Sequence, residues 1–412
     1  MSATLIATDK KPEATFTFAA FLAFLAMLGP FSVDAYLPAF PDLATEFGVS
    51  PAHVQQTLTA YFIPFAAMNL LHGTISDALG RRRALLGALA VYTFASLGCM
   101  LADTIGALLM FRAMQGASAG AGVITLYAIT SDCFEGVGAH KMIAHGTLTY
   151  HVAPIAAPVL GGLLLSAFGW RSVFGLLAAL GLVMLALAFR RLPETLPPCR
   201  RQSATPRSII VSYRRVLRHR SGHLLAGALA FSFAAGFLYI AASSVFLTRH
   251  LGVASTGFAW LFVPLVGGYM LGAFISGLLA SRLEPSDSVW WGYRLMSLAV
   301  GVNVLLSYAT PPSIPWSVAP LLLYAIGQSI AAPALKALLL DLFPAIAGAA
   351  SALRGSVQLL LLAFVSGVIA PLASSSVVDL AVAMMLLFVI SGTCWLLFGI
   401  RALATTFNIQ RT

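Results

Sequence analysis

Four ionisable side chains stand inside long apolar stretches of this sequence: Asp34, Arg112, Lys336 and Arg354. A charge at the centre of a membrane helix costs upwards of about 2.5–3.5 kcal/mol, so such residues mark ion or substrate pathways. Asp34 is the one carboxylate well inside such a stretch, in Gly29-Pro30-Phe31-Ser32-Val33-Asp34-Ala35-Tyr36-Leu37-Pro38. A carboxyl group can take up a proton, and its neutral form is the cheap one in a dry site. Pro30 can open the helix locally and admit water. An acid placed this way can carry a proton through a change of access. Arginine keeps its charge in proteins, so Arg112 must face protein or a wet cavity. It is the expected electrostatic partner of Asp34. Positions 108, 112, 116 and 120 share a helix face, and Gly116 and Gly120 on it have the spacing that lets helices approach closely. Lys336 and Arg354 fall near helix ends, where long basic side chains reach for headgroups or form a basic lining for anionic cargo. Arg294 lies where it can snorkel.

Other chemistries find no residues. His145 and His151 are six apart with no third ligand, and Cys99, Cys133, Cys199 and Cys394 are scattered. No metal site is expected. Paired carboxylates and nucleophile–base sets are absent at any one level, which argues against an enzyme. No cofactor is expected beyond protons as the coupling ion.

The elements that must hold these residues follow from composition. The chain has 412 residues, 59% hydrophobic and 9% charged, with mean hydropathy +0.90. Soluble domains carry about 25% charged residues. Backbone polar groups in lipid must be satisfied internally, so the choice is helices or a closed barrel. The apolar runs lack period-2 alternation, which excludes the barrel. The expected fold is an all-α membrane protein. The run from Phe16 to Val33 follows Lys10 and Lys11 and is too long for a signal-peptide core, so it reads as a retained first span.

Apolar length predicts twelve spans, at about 16–37, 54–74, 84–102, 105–126, 143–166, 172–189, 223–248, 258–280, 290–310, 317–341, 348–372 and 378–400. A polar, basic, proline-containing segment at about 190–222 divides them six and six. The expected domains are therefore 1–190 and 223–412, two pseudo-symmetric six-helix bundles joined by a basic linker at 191–222. A weak echo supports duplication: Gly73-Thr-Ile-Ser-Asp77-Ala-Leu-Gly80-Arg81 ends the second span, and Gly277-Leu-Leu-Ala-Ser281-Arg282-Leu283 ends the eighth. Two such halves around a midplane site is a common transporter plan. Lys and Arg concentrate in the even loops, the linker and both termini, with Arg171 and Arg249 as exceptions. The positive-inside rule then puts both termini and the linker in the cytoplasm. The net charge of +10 is thus a topology signal with a second role at anionic headgroups, and it calls for no nucleic acid.

The chain resembles the major facilitator superfamily along its length, and within it the Bcr/CflA group of drug:proton antiporters. Four segments carry the resemblance: Asp34-Ala-Tyr-Leu-Pro-Ala-Phe-Pro41, Gly73 to Arg82, the neighbourhood of Arg112, Gln115, Gly116 and Gly120, and Ala153-Pro154-Ile-Ala-Ala157-Pro158-Val-Leu-Gly161-Gly162. The resemblance implies proton coupling at Asp34 with Arg112. It also implies an ion-pair latch at Gly73, Asp77, Gly80, Arg81 and Arg82, and a bent antiporter helix at Pro154, Pro158, Gly161 and Gly162. In physical terms, Gly73 and Gly80 would permit close packing and a tight turn. Asp77 could cap a neighbouring helix N-terminus, with Arg81 and Arg82 at a helix C-terminus. The wider antiporter motif has glycine where this chain has Ala153 and Ala157, and Lys336 and Arg354 depart from the group's usual second half.

The function expected from this is proton-coupled export of small amphipathic drugs from the bacterial cytoplasm, across the inner membrane, by a monomer. The expected cavity walls are Met27, Phe31, Tyr61, Tyr127, Tyr150, His151, Phe237, Tyr269, Gln328 and Gln358, with Lys336 and Arg354 as a basic lining. Two alternatives stand beside it: a dedicated proton-coupled exporter of an anionic metabolite or siderophore, and an inward symporter or facilitator.

Overall fold

Several helices begin at a residue that caps them or at a proline. Ser50 accepts from the His53 N–H at the start of the helix Pro51–Leu79, Thr104 accepts from the Ala107 N–H at the start of Ile105–Ala119, and proline occupies the first turn of Pro51–Leu79, Pro285–Ala309 and Ile314–Asp341. In this computed structural model residues 16–133, 153–197, 199, 201, 206–280 and 282–409 are described. The helices in the first part are α1 (Phe16–Asp34), α2 (Phe40–Glu46), α3 (Pro51–Leu79), α4 (Arg81–Met100), α5 (Ile105–Ala119), α6 (Ala121–Cys133), α7 (Ala153–Phe168) and α8 (Trp170–Arg191). Then come α9 (Pro206–Leu217), α10 (Arg220–Ala241), α11 (Ala259–Leu279), α12 (Pro285–Ala309), α13 (Ile314–Asp341), α14 (Ala347–Phe364), α15 (Ala370–Ala373) and α16 (Val377–Ile409).

Among the described residues, 11 helical stretches are long and apolar enough to cross a membrane. The stretch predicted at 143–166 begins outside the described residues, and its described part is the shorter apolar α7. Most other predicted spans lie within a few residues of their helices. Three departures matter for function. The first span stops being α-helical at Asp34 and continues through a 3-10 turn, Leu37–Ala39, into α2. The second span runs on to Leu79, so Gly73 and Asp77 are helical and the predicted loop shrinks to Gly80. The basic linker is not featureless: it contains α9, and α10 begins at Arg220, inside the predicted linker.

In the first half α3 packs on α5 and α4 on α8; in the second α13 packs on α11 and α12, and α10 on α16. The main seam between the halves, among the described residues, is α3 against α14. It is held by side chains of α3 that donate to α14. Gln56 donates to the Gly367 carbonyl at 2.9 Å and Thr59 to the Ala363 carbonyl at 3.2 Å. Toward the linker end, Asn69 donates to the Ala352 carbonyl at 2.9 Å and to Ser356 at 3.1 Å. The first two bonds fall where α14 widens into a π-helical turn, Val365–Ile369. Such a turn shifts carbonyls out of register, and α3 satisfies them. Arg171, an exception to the charge pattern, is met at the end opposite the linker by Glu46, by Asp103 at 3.6 Å and by the Ala102 carbonyl at 3.2 Å. Its charge is thus neutralised locally by acids that the loop census did not weigh.

Candidate functional site

Asp34 is the last residue of α1, four residues beyond Pro30. It is 5% exposed. Among the described residues no hydrogen bond or ion pair reaches its carboxyl group. Carbonyls at a helix C-terminus carry partial negative charge, so its own helix offers an anion nothing. The next carbonyl, that of Ala35, lies directly against α7. A Cβ on Gly161 would stand 1.8 Å from the Ala35 oxygen. The helix bearing the antiporter-like residues therefore touches the backbone one residue beyond the acid. Gly162 and Pro158 are buried beside it, and Pro154 lies at the start of the described part of α7. The structure thus joins two of the four resembling segments, Asp34–Pro41 and Ala153–Gly162, at one contact.

Arg112 is fully buried and not where the pairing expectation put it. Its Nη1 donates to the Ser32 carbonyl at 3.2 Å and to Gln115. Its guanidinium lies 4.3 Å from the Tyr36 ring centre and 4.5 Å from that of Tyr61. Among the described residues no ion pair joins it to Asp34. The physical reason is that two ring faces and a carbonyl already hold the cation in a dry place. Around it runs a polar chain that sequence reasoning missed. Gln115 donates to Ser96 at 2.8 Å, Ser96 to the Tyr92 carbonyl at 2.8 Å, and the Tyr92 and Ser32 hydroxyls share a hydrogen bond. Tyr36 shares another with Thr57 at 2.8 Å. The signal available was Tyr36 itself, two residues from the acid. Close approach of α5 explains the geometry, because a Cβ on Gly116 would stand 2.0 Å from the Tyr61 carbonyl. Arg112→Lys keeps the charge but loses the flat, ring-stacked fork. It is expected to cost about 2 kcal/mol, read as a lower thermal midpoint of the purified protein; an unchanged midpoint would show that the rings do not hold the cation.

The latch-like residues gather around Gly80. Its φ is +96°, a backbone conformation that calls for glycine, and the Glu194 carboxylate packs over it, with a Cβ there standing 2.3 Å from a Glu194 oxygen. Arg81 begins α4, which corrects its placement at a helix C-terminus, and Arg82 follows it in that first turn. The positive charges at a helix start are offset by acids. Arg81 pairs with Asp77 and, at 3.0 Å, with Asp132, and its backbone N–H donates to Glu194 at 2.9 Å. Arg82 donates to the Phe189 carbonyl at 2.7 Å. Asp77 thus serves Arg81 instead of the expected neighbouring helix N-terminus. Gly73 has nothing within 4 Å of a would-be Cβ, so the expected close packing is absent there. Asp132 and Glu194 were missed, since one lies in the last turn of α6 and the other follows α8. Glu194→Ala removes a carboxylate cap and is expected to cost about 1 kcal/mol, measured by chemical or thermal unfolding; no change would mean that water caps α4 equally well.

Among the described residues, the expected cavity residues occupy several different environments. Met27, Phe31, Tyr61 and Phe237 are buried in one continuous core, with Phe62 against Phe237 across the halves at 5.5 Å between ring centres. Gln328 is buried, Tyr269 and Gln358 are half-buried, and Tyr127 is exposed. Tyr150 and His151, like His145, lie outside the described residues. Lys336 is exposed, and Arg354 donates to Gln358 at 2.7 Å. A cleft of about 540 Å³ between Phe94, Leu97, Leu101 and Phe111 shares no residue with the expected set. Among the described residues no group of three metal-binding side chains occurs.

A family model described as Major Facilitator Superfamily matches residues 19–366. An uncharacterized MFS-type transporter of Bacillus subtilis is 30% identical over 84% of this chain and 86% of its own. The bicyclomycin resistance protein homolog of Haemophilus influenzae is 27% identical over 84% and 87%, and multidrug resistance protein D of Escherichia coli 26% over 92% and 95%. Among solved structures, a D-xylose-proton symporter superposes with TM-score 0.73 at 15% identity, covering 93% of this chain and 97% of that one. A bacterial homolog of the human lysosomal transporter Spinster, inward-facing and unoccupied, gives 0.70 at 18%, covering 94% and 97%. These two likenesses concern the fold. The all-helical fold, the antiporter-like segments and these relatives agree: the chain belongs to the Major Facilitator Superfamily, as a multi-pass membrane transporter and not an enzyme, and its similarity within that superfamily is to Bcr/CflA-type drug:proton antiporters.

Proposed function

We propose that the protein exports small amphipathic molecules in exchange for protons across the bacterial inner membrane, with Asp34 as the proton carrier. The observation that carries this is a buried carboxyl group at a helix end, with the antiporter-like helix seated on the adjoining Ala35 carbonyl. A change in how α7 meets Ala35 would alter access to Asp34, which is the coupling that exchange needs. The relatives named for drug and bicyclomycin resistance support export as the direction and drugs as the cargo class. The charge pattern supports cytoplasmic termini and linker. Two pseudo-symmetric six-helix bundles, with α7 completing a fifth span, are the arrangement proposed, acting as a monomer. Arg112 then keeps the α1 break, α3 and α5 in register, and the Arg81–Asp132–Glu194 cluster holds the α3–α4 corner to the linker.

Inverted vesicles with an imposed proton gradient test the direction. Chloramphenicol, a neutral probe, should accumulate as protons leave. Co-directional movement would make the protein a symporter instead, and gradient-independent movement a facilitator. A second reading, export of an anionic metabolite or siderophore, is favoured by Lys336 and Arg354 on neighbouring helices of the second half.

A further inference from the structure

The cleft of about 540 Å³ lies between α4 and α5, outside every residue given a part in transport. Its α4 wall is Phe94, Leu97 and Leu101, all exposed. They follow one another at about one turn, so they form a single row. Its α5 wall is Ala107 and Phe111. Phe111 rests on Gly98, where a Cβ would stand 2.3 Å from the ring, and its ring centre is 6.1 Å from that of Phe94. The result is an apolar trough along the two helices. From Leu101 to Phe94 it runs about 10 Å into the membrane-spanning part. A trough of this kind on exposed apolar helix faces suits an alkyl chain lying along the helix axes.

One end of the trough is polar. Asp103 and Thr104, in the loop between α4 and α5, also line the cleft, at the end opposite the linker. Arg171 joins them there. Its Nη2 donates to the carbonyl of Ala102, another lining residue, at 3.2 Å, and stands 3.6 Å from the Asp103 carboxylate. The second distance is an ion pair but not a hydrogen bond. Arg171 Nη1 is given to Glu46, which also receives the Trp170 indole N–H. Among the described residues, then, one guanidinium answers two carboxylates in this corner. Asp103 is the less firmly held of the two, and its side chain is 91% exposed.

The acyl chain of any lipid fits an apolar trough, so selection falls to the corner. A carboxylate in excess attracts a cation and repels an anionic headgroup. A primary ammonium has N–H groups to donate to that carboxylate, whereas a fully methylated nitrogen has none. The phosphate of the same headgroup meets a guanidinium beside the carboxylate. Adjacent opposite charges at the end of a trough thus complement a zwitterion that carries a chain.

We propose that the α4–α5 trough and the Asp103–Arg171 corner form a binding site for a phospholipid with a primary-ammonium headgroup, phosphatidylethanolamine, whose acyl chain lies between Phe94, Leu97 and Phe111. That the outer leaflet supplies it rests on the cytoplasmic linker proposed above; binding itself does not.

The test is thermal unfolding of the full chain in nanodiscs at constant ionic strength, with the same acyl chains throughout. Replacing part of the phosphatidylcholine by phosphatidylethanolamine should raise the parent's midpoint in a concentration-dependent way, and phosphatidylglycerol in its place should not. Asp103→Asn, at an exposed loop position, should weaken the apparent affinity for phosphatidylethanolamine about tenfold. Ala107→Phe fills the trough while leaving both charges, and should weaken it by a similar factor. Equal responses of the parent and Asp103→Asn to phosphatidylethanolamine would trace the effect to the bilayer and overturn the site. Equal stabilisation of the parent by phosphatidylethanolamine and phosphatidylglycerol would overturn it too, as would an Ala107→Phe protein that responds like the parent. Failure of the export reading shows elsewhere, as chloramphenicol efflux unaffected by Asp34→Asn, and leaves these lipid shifts as they are.

Discussion

Asp34→Asn is expected to abolish proton-driven efflux of chloramphenicol while the protein still inserts and folds. The substitution keeps the size and hydrogen-bonding capacity of the side chain and removes the exchangeable charge. Because Asp34 is buried and, among the described residues, receives no hydrogen bond or cation, replacing it breaks no described interaction. Stability should stay within about 1 kcal/mol of the parent or rise, since a costly ionisable group leaves the hydrocarbon. In proteoliposomes the gradient-driven component should fall about a hundredfold, to the level of empty vesicles, a loss equivalent to about 2.7 kcal/mol of coupling. Exchange of chloramphenicol between the two sides without a gradient can persist, because that step moves no proton. Gradient-driven efflux at the parental rate would assign the coupling proton to another group.

Gly161→Ala should impair transport nearly as severely, through one methyl group. The added Cβ would stand 1.8 Å from the Ala35 oxygen and 2.8 Å from its carbonyl carbon. Both are backbone atoms, so no side chain can swing aside, and α7 must back away from the α1 break. Overpacking of this kind costs about 1–3 kcal/mol. The cost falls at the contact proposed to control access to Asp34, so efflux should drop at least about tenfold. Gly73→Ala is the matched comparison. It lies within the helix with nothing within 4 Å of the new atom, so its stability should hold or rise by the helix-propensity difference of about 1 kcal/mol, read as an unchanged or higher thermal midpoint. Equal midpoints and efflux for Gly161→Ala and the parent would show that α7 does not press on α1.

Much of this was readable from residue types. Asp34 stood out because lipid makes any lone acid expensive, and the membrane class followed from 9% charge. The superfamily was legible in the segments around Asp34, Gly80, Arg112 and Gly161. Helix rotation was not, since apolar runs are apolar on every face when lipid lies on one side and protein on the other. The neighbours that Tyr61 and Phe237 meet, Arg112 and Phe62, are therefore seen only in the structure. Arg112 itself showed the limit of charge arithmetic. Opposite signs suggested a pair with Asp34, while ring faces and a carbonyl had already claimed the cation. Asp132 and Glu194 were hidden for a simpler reason: their partner Arg81 is 51 and 113 residues away in sequence.

The linker has a mechanical consequence. Its early part is fastened to the first half, through Glu194 on the Arg81 N–H and Thr195 on Asp132. Its helix α9 is fastened there too, because Tyr213 donates to the Leu70 carbonyl at 2.8 Å, and α9 also touches α14. What joins α9 to α10 is Arg218 and His219 alone, a leash of about 10 Å from Leu217 to Arg220 when taut. The halves are therefore not two bodies on a long slack tether. Any rocking wider than that leash must first unhook Tyr213, a bond of about 1 kcal/mol, so the linker works as a light catch that yields only at the extreme of the stroke.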